Sequence, residues 1–564
     1  MAEFPGLMGQ WSSYAAWHDR ALSLIGIEVH WAILQYVLGL SFFAFIAYLI
    51  YLKTKDETWE RIAWTAFKGF VVVFAVGAAT GTASEFGLVL LWPNLTEAAG
   101  RYVYFPLYAE VFAFLLEVVF IYMTYYGWNK FPKKVLAILL LLSVIGPWYS
   151  AAMIVSVNSF MVAPTGVKPA YSPDTGYLYD QGYPKLTLAV PKDLVPALNV
   201  ELLQKAGMEI VGETDDAVIV LMPARIVQHL AYEAWSGVKV KDSILAKVAN
   251  PDYVQQHPEI LNTPVKDIVD AIMKKTVETV GVMSITFKSP VYRASILHVI
   301  GAALTVSTFT AMGAYALRLR RFPGADEKTK EYWRKSFKYY ALAALIVIAI
   351  QGFVFGHEMG RAVAEYNPEK FAAMEATTDK VFQVTKLLPG GEKLVAFLAY
   401  GDFNAPLPNY DKIPDDWCYC QLAANIDAQR IPSCKPPLII HYFYYTKITL
   451  GILLGIYALI IAYFLVLRKA KPEQIPGWLL ALAPITPVVA QLVSFLGWAV
   501  REVGRKPWTI YGIMTTDVAH TANPASAGLV ALVALFFIVI LAALAYGVWK
   551  FLWLPGRPTS TQEY

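Results

Sequence analysis

The stretch Trp498-Ala499-Val500-Arg501-Glu502-Val503-Gly504-Arg505-Lys506-Pro507-Trp508 stands where an apolar run, 475–500, gives way to charge. A run of that length reads as a membrane span, because a hydrocarbon layer about 30 Å thick takes roughly 20 helical residues. The carboxylate and the arginines that end it lie beside aromatic residues, where lipid offers no partner. Ionisable groups so placed are functional candidates by default, so the junction implies a bundle that holds something charged or metallic near one membrane face.

Working outward, further runs of the same kind cover 30–52, 69–92, 106–128, 135–158, 290–317, 339–356, 437–467 and 525–549. The composition agrees: 57% of the residues are apolar and 16% are charged, far from the soluble average. Long runs without polar alternation favour helices over a barrel, since each helix satisfies its own backbone. The fold class is therefore an all-α polytopic membrane protein of about nine transmembrane helices.

Lysine and arginine set the orientation. The connections after the first, third, fifth and seventh spans, with the tail after the ninth, hold twenty of them, against Arg20, Arg101, Arg501, Arg505 and Lys506 in the short segments opposite. This places the N-terminus outside, the C-terminus in the cytoplasm and the chain in the cell membrane. Residues 1–20 lack the apolar core of a cleavable signal. The net charge of +4 is mostly this inward bias and gives no reason to invoke nucleic acid.

Two long connections divide the chain, both outside. Helices 1–4 occupy 1–164, an insert follows at 165–289, helices 5–6 occupy 290–356, a second connection runs over 357–436, and helices 7–9 with the tail fill 437–564. The insert mixes a β-like run, Ala217-Val218-Ile219-Val220-Leu221, with helical periodicity at Asp267-Ile268-Val269-Asp270-Ala271-Ile272-Met273, which reads as a small extracytoplasmic α+β unit. The second connection holds Cys418, Cys420 and Cys434; an outside location permits one disulfide with one thiol left over.

By depth, His30, His298, Glu110, Glu117 and Glu502 all fall in the outer half of the membrane. Inward-facing histidines and carboxylates are the usual way to build cofactor sites in a bundle, and imidazole is the common haem ligand. Each also has a plainer reading: His30 as an interfacial anchor, His298 bonded to a neighbouring carbonyl, Glu110 answering Arg101 or Arg501, Arg501 and Arg505 as a solvated edge, Lys370 with Glu375 as a surface pair.

Taken in order, these residues resemble subunit I of the cytochrome bd family of quinol oxidases. Glu28-Val29-His30-Trp31 with Gly39 resembles the first-helix haem ligand; Gly77-Ala78-Ala79-Thr80-Gly81-Thr82-Ala83-Ser84-Glu85-Phe86 resembles the second-helix signature. Pro106-Leu107-Tyr108-Ala109-Glu110 with Glu117 is similar to the third helix and its two acids. Ser289-Pro290-Val291 with His298 resembles the low-spin haem helix, Gly504-Arg505-Lys506-Pro507-Trp508 the Gly-Arg-Gln-Pro-Trp motif, and Asn367-Pro368-Glu369-Lys370-Phe371-Ala372-Ala373-Met374-Glu375 the quinol-loop motif.

The resemblance implies three haems: a low-spin haem b on His298, and a high-spin pair held by His30 and Glu502, composed of a haem b with a haem d or a further haem b. It implies that Lys370 and Glu375 contact quinol, that Glu110 and Glu117 relay protons to the oxygen site, that Trp498 packs on a macrocycle and Arg505 pairs with propionates. It also implies a second membrane subunit. Three departures stand out. Lys447 occupies the position of the methionine that completes the low-spin haem, and could ligate iron or neutralise a propionate. Glu110 and Glu117 are seven apart rather than eight, which could shift their shared face by about 100°. Asn367 replaces a glutamine. The alternatives are a proton-coupled transporter and a degenerate oxidase subunit lacking one haem.

Overall fold

The computed structural model describes residues 17–169, 185–280, 286–413, 435–519 and 527–553. The bundle begins with α1 (Trp17–Thr54), α2 (Glu57–Leu91), α3 (Pro93–Gly127) and α4 (Lys133–Val162). Within α2 and α3 the helix starts about a dozen residues before the apolar run: Glu57 and Glu60 in the first turn suit the positive end of the α2 dipole, and Pro93 starts α3 where its missing N–H costs nothing.

The insert is a four-stranded antiparallel sheet of order β1-β2-β4-β3, with β1 Val167–Lys168, β2 Lys185–Pro191, β3 Glu209–Glu213 and β4 Ala217–Pro223. The β-like run lies in β4, paired along its whole length with β2. The helix α5 (Ala224–Trp235) and the amphipathic α6 (Val265–Val280), which contains 267–273, pack together, and their apolar sides join Leu186, Leu188, Val220 and Met222 in a separate small core.

The membrane part resumes with α7 (Tyr292–Arg321) and α8 (Glu327–Ile350), the latter capped by Asp326, whose side chain accepts from the Thr329 N–H. A π-helical turn, Gln351–Gly356, carries α8 into α9 (His357–Tyr366), so the span runs on past 356 and the second connection begins about ten residues later than the sequence pattern placed it. The buried α10 (Pro368–Glu375) follows, then α11 (Ile439–Ala462), α12 (Thr486–Val503) and α13 (Ala527–Trp553). Among the described residues eight helices are long and apolar enough to cross a membrane; in the ninth, α13, the described apolar stretch is Ala531–Gly547. Cys418, Cys420 and Cys434 lie outside the described residues.

The span before α12 is broken: Gly477–Leu482 is helical, Ala483–Ile485 is a 3-10 turn, and α12 restarts at Thr486, because Pro484 and Pro487 each remove a backbone donor. The Ala483 carbonyl is satisfied by the Thr486 hydroxyl at 2.8 Å. Gly313 permits this close packing, since a Cβ there would lie 2.6 Å from that oxygen. The largest core lies toward the end of the bundle away from the insert, with Trp64, Phe67, Phe70, Trp128, Phe309 and Phe337 buried together. The functional candidates lie toward the end that carries the insert, where Arg501, Arg505, Lys370 and Glu375 are buried.

Candidate functional site

On α1, His30 turns to α2. Its Nδ1 lies 3.0 Å from the Thr80 hydroxyl, and that hydroxyl gives its own proton to the carbonyls of Gly77 (3.0 Å) or Val76 (3.1 Å). Thr80 therefore accepts from Nδ1–H, which leaves the lone pair on Nε2, the tautomer a metal ligand needs. Gly81 makes room for the ring: a Cβ at that position would stand 2.8 Å from His30 Cε1. One residue on, Trp31 stacks on Trp498 of α12 with ring centroids 5.5 Å apart, and its indole N–H donates to Ser494 at 3.1 Å. Trp498 is thus fixed against α1.

His298 lies two turns into α7. The Gln351 amide, 3.1 Å from both the His298 Nδ1 and its carbonyl oxygen, holds one edge of the ring. Both contacts come from the π-helical turn, a device that re-aims groups at functional sites. Nε2 has no side-chain partner among the described residues.

Glu502 ends α12. One oxygen accepts from the Asn158 amide at 2.9 Å and the other from Arg505, and Glu28 on α1 is close enough to act on it electrostatically. A carboxylate has about four lone-pair sites, so both oxygens retain capacity for a further partner. A cavity of about 440 Å³ opens between α1 and α12, lined by Glu28, Ala32, Tyr36, Gln491, Leu492 and Phe495.

Arg501 is no solvated edge. It is buried, with Nε bonded to Asn158, Nη1 to Ser295 at 3.0 Å and Nη2 to Ser159 at 3.4 Å. Arg505 is buried too, and its Nε and Nη1 have no acceptor among the described residues. Lys370 joins them, its ammonium 3.5 Å from the Arg501 carbonyl; burial, with Arg501 alongside, holds it well below the ordinary lysine range. Among the described residues only Arg505 of these three is ion-paired, to Glu502. Two buried guanidiniums beside a single carboxylate suit an anionic ligand.

Lys370 and Glu375, expected to share one head group, point into different surroundings on α10, five residues apart and not on one helical face. Both are buried, at 4% and 3% exposure, so neither is a surface group. Glu375 accepts a 2.5 Å hydrogen bond from the hydroxyl of Tyr445 on α11, and burial raises its carboxyl to about 7. His441, one turn before Tyr445, pins the region: Nδ1 donates to the Met374 carbonyl at 2.7 Å, and Nε2 accepts from the Val384 N–H at 3.2 Å. Asn367 donates to the Val162 carbonyl at 3.0 Å.

The two acids of α3 do share a face. Glu110 accepts from Ser150 of α4 at 2.9 Å, and Glu117 packs on Gly146, where a Cβ would come within 2.5 Å of its Cγ. Seven residues turn an α-helix through nearly two full circles, a mismatch of only about 20°, so the spacing leaves both on α4. A further seven residues along α3, Thr124 meets Ser143 at 3.4 Å, both buried. The pattern is a polar ladder along one helix interface. Glu110 finds its partner in Ser150, not Arg501; the side chain of Arg101 lies outside the described residues.

Sequence reading did not assign roles to Thr80, Gln351, Asn158, Tyr445 or Glu28. Hydroxyl and amide residues within apolar runs were the available signal, but nothing in their spacing tells which partner each one meets.

The donor set fits haem: one imidazole with its tautomer fixed, one buried beside a π-turn, a carboxylate with spare lone pairs, and guanidinium N–H groups lacking acceptors. A family model described as cytochrome bd terminal oxidase subunit I matches residues 19–181 and 261–554, passing over most of the sheet insert. The chain is 23% identical over 547 residues, 94% of each protein, to a putative cytochrome bd menaquinol oxidase subunit I of Bacillus subtilis. It is 33% identical over 138 residues, 24% of this chain and 30% of the other, to a cytochrome bd ubiquinol oxidase subunit 1 of the same organism. The fold is similar to that of the bd oxidase structure from Geobacillus thermodenitrificans, with TM-score 0.62, 21% identity, and 95% and 97% of the two chains covered.

Proposed function

The chain belongs to the cytochrome bd terminal oxidase subunit I family, and on that premise we propose that it oxidises a membrane quinol at its outer face and reduces oxygen to water. The observation that carries this reading is the gathering of His30, His298 and Glu502, with the buried basic residues Arg501, Arg505 and Lys370, toward one end of the bundle.

Three haems would be held here: a low-spin haem b by His298, and a high-spin pair by His30 and Glu502. Bound haem supplies one-electron transfer and the iron at which oxygen reacts. Arg505, with two unsatisfied N–H groups, is placed to grip porphyrin carboxylates, and Trp498, braced by Trp31, offers a flat apolar face to a macrocycle.

Glu375 is the base for quinol. Its carboxylate, oriented by Tyr445, accepts a hydroxyl proton as the electrons depart. Lys370, directed toward Arg501 and Glu502, serves the anionic side of the site more directly than the quinol head group. Protons for water travel outward along the α3/α4 ladder: Thr124 with Ser143, then Glu117, then Glu110 with Ser150. These steps are about 10 Å apart by helix rise, so water molecules complete the relay. Taking water's protons from the cytoplasm and releasing quinol's outside separates charge without a pump. A second membrane subunit is the natural cover for the exposed outer face of α3, where Tyr108, Phe112, Leu115 and Tyr122 are bare.

The purified enzyme should show three haems per chain in a pyridine haemochrome assay and consume oxygen on addition of a reduced quinone. Colourless protein would overturn the reading. A haem-loaded enzyme unable to use quinol would overturn the substrate assignment alone.

A further inference from the structure

Between α10 and α11 the chain leaves bare an apolar surface that contact with water does not explain. Leu387, Leu388, Leu394, Phe397, Leu398 and Phe403 are between 41% and 65% exposed. Singly such residues are ordinary, but a group of them on a segment that does not cross the membrane marks an interaction surface. The surface is built from two pieces. A 3-10 turn, Val384–Leu387, packs against a short helix, Gly391–Tyr400, which is bounded by Gly390 and Gly401, both left-handed at φ +75° and +79°. Leu394, Phe397 and Leu398 follow the i, i+3, i+4 spacing of one helix face. Past the helix the ring of Phe403 stacks on Phe397, with centroids 4.3 Å apart and planes within 8°, so the apolar surface is held in one shape.

The other side of this helix is buried. Ala396 and Ala399 are closed off, and Val395 and Tyr400 join Val363 of α9 with Phe371 and Met374 of α10 in one core. Tyr400 meets Phe371 edge to face, centroids 6.1 Å apart. Phe371 follows Lys370 directly, and Met374 precedes Glu375. The helix is thus a bracket: whatever its bare side rests on sets where α10 stands.

Level decides what that is. The apolar run of the sixth span ends at 356, and His357, Glu358 and Arg361 follow at once. Glu358 is paired at 2.6 Å with Arg293, in the first turn of α7, so charged groups mark the same boundary on both spans. Headgroups add about 5–8 Å beyond the hydrocarbon on each side. From that boundary α9, ten residues long, rises about 15 Å. The short helix packs on α9 and therefore stands at the headgroup layer, next to a span whose Phe353 and Val354 are themselves exposed. A protein cover has less in its favour, since the bare face of α3 assigned to a second subunit belongs to the part of the bundle packed on α2 and α4.

We propose that the surface formed by Leu387, Leu388, Leu394, Phe397, Leu398 and Phe403 is seated in the bilayer, at the boundary of headgroups and acyl chains on the end that carries the insert. Apolar helix faces at this level bind lipid by sinking about 5–10 Å into that boundary. The segment is a surface anchor that holds α10 against the membrane. Resting on the reading of Glu375 as the quinol base, the anchor keeps that residue within reach of a substrate that arrives through the lipid.

The wild-type complex in nanodiscs of phosphatidylethanolamine and phosphatidylglycerol decides the matter. Hydroxyl-radical footprinting should spare Leu387, Phe397 and Phe403 while oxidising Ile210 and Val211, which are comparably exposed on strand β3 of the insert. A phospholipid with a diazirine on its acyl chain should label residues 382–403 on illumination. Oxidation at the pace of Ile210 and Val211, or protection without lipid adducts, as a protein cover would give, overturns the anchor. Leu388→Ser combined with Phe397→Ser should raise the KM for a long-tailed quinol several-fold at unchanged kcat, and leave the KM for a short-tailed, water-soluble quinol as it was. An equal rise for both quinols, or none, overturns the role in substrate access. Wild-type enzyme that takes lipid adducts but oxidises no quinol refutes the functional reading and leaves the anchor standing. Should the variant fail to assemble, the wild-type labelling decides by itself.

Discussion

The hydroxyl of Tyr445 and the carboxylate of Glu375 are joined by a 2.5 Å hydrogen bond that ties the short helix α10 to the N-terminal part of α11. The two residues are seventy positions apart, and the bond fixes the direction in which the buried carboxylate presents its free oxygen. Because burial raises that carboxyl to about 7, its charge changes within the working range of the enzyme.

Quinol oxidation should therefore depend on pH in a definite direction. Above about 7 Glu375 is ionised and accepts a proton; below that value it is protonated and cannot. The rate at saturating quinol should rise with pH through this value. Glu375→Gln should remove that limb and lower the rate by about 100-fold or more, the usual worth of a positioned base. Stopped-flow reduction of the low-spin haem by quinol across pH 5.5–8.5, about the range of physiological histidine and carboxyl switches, measures it.

Tyr445→Phe tests the orientation. The lost hydrogen bond stabilised the ionised carboxylate, and bonds to charged groups are worth about 1.5–3 kcal/mol. At about 1.4 kcal/mol per pH unit, the limb should move upward by roughly one to two units, with haem content unchanged. A variant whose limb stays put would show that Tyr445 does not act on the base.

Thr80→Val addresses the oxygen side. It keeps the shape of the residue but removes the acceptor for His30 Nδ1–H, so the ring loses both its tautomer and its orientation. Groups of this kind change metal affinity by about 10–100-fold. The high-spin haem content should fall in the haemochrome assay, while the low-spin signal from His298, on another pair of helices, should persist. Equal loss of both would point to misassembly.

How much of this was legible in the sequence varies with the interaction. Membrane spans were, because hydropathy acts locally and each helix satisfies its own backbone; only their ends moved, where Glu57 and Pro93 start helices beyond the apolar runs. The β4 strand and α6 in the insert were legible from period alone. His30, His298 and Glu502 stood out because charged or titratable groups are rare in spans. Their partners did not: Thr80, Asn158 and Gln351 are fifty or more residues away from the groups they hold, and register between helices sets those pairings. The same limit applies to Arg501, whose charge read as a solvated edge, although three side chains from α4 and α7 enclose it.

The insert offers a separate test of what holds its own fold together. Glu233 on α5 is buried, yet it is the hub of a local network: His229 lies 3.1 Å from one oxygen, Ser243 donates to the other, and the Ile244 N–H donates at 3.0 Å. This carboxylate satisfies the N-terminus of the short helix Ile244–Val248, to which Ser243 also gives its own cap by accepting from the Leu245 N–H at 3.0 Å. Glu233→Ala leaves those donors buried without an acceptor, at a cost of about 1–3 kcal/mol for each group left unmet. Amide hydrogen exchange at Ile244 and along α5 should then quicken by 10-fold or more, while the haem spectrum and quinol oxidation stay unchanged. The small core of the insert, centred on Leu186, Val220 and Met222, shares no site residue with the bundle, so a parallel loss of haem would mean that the insert supports the oxygen site after all.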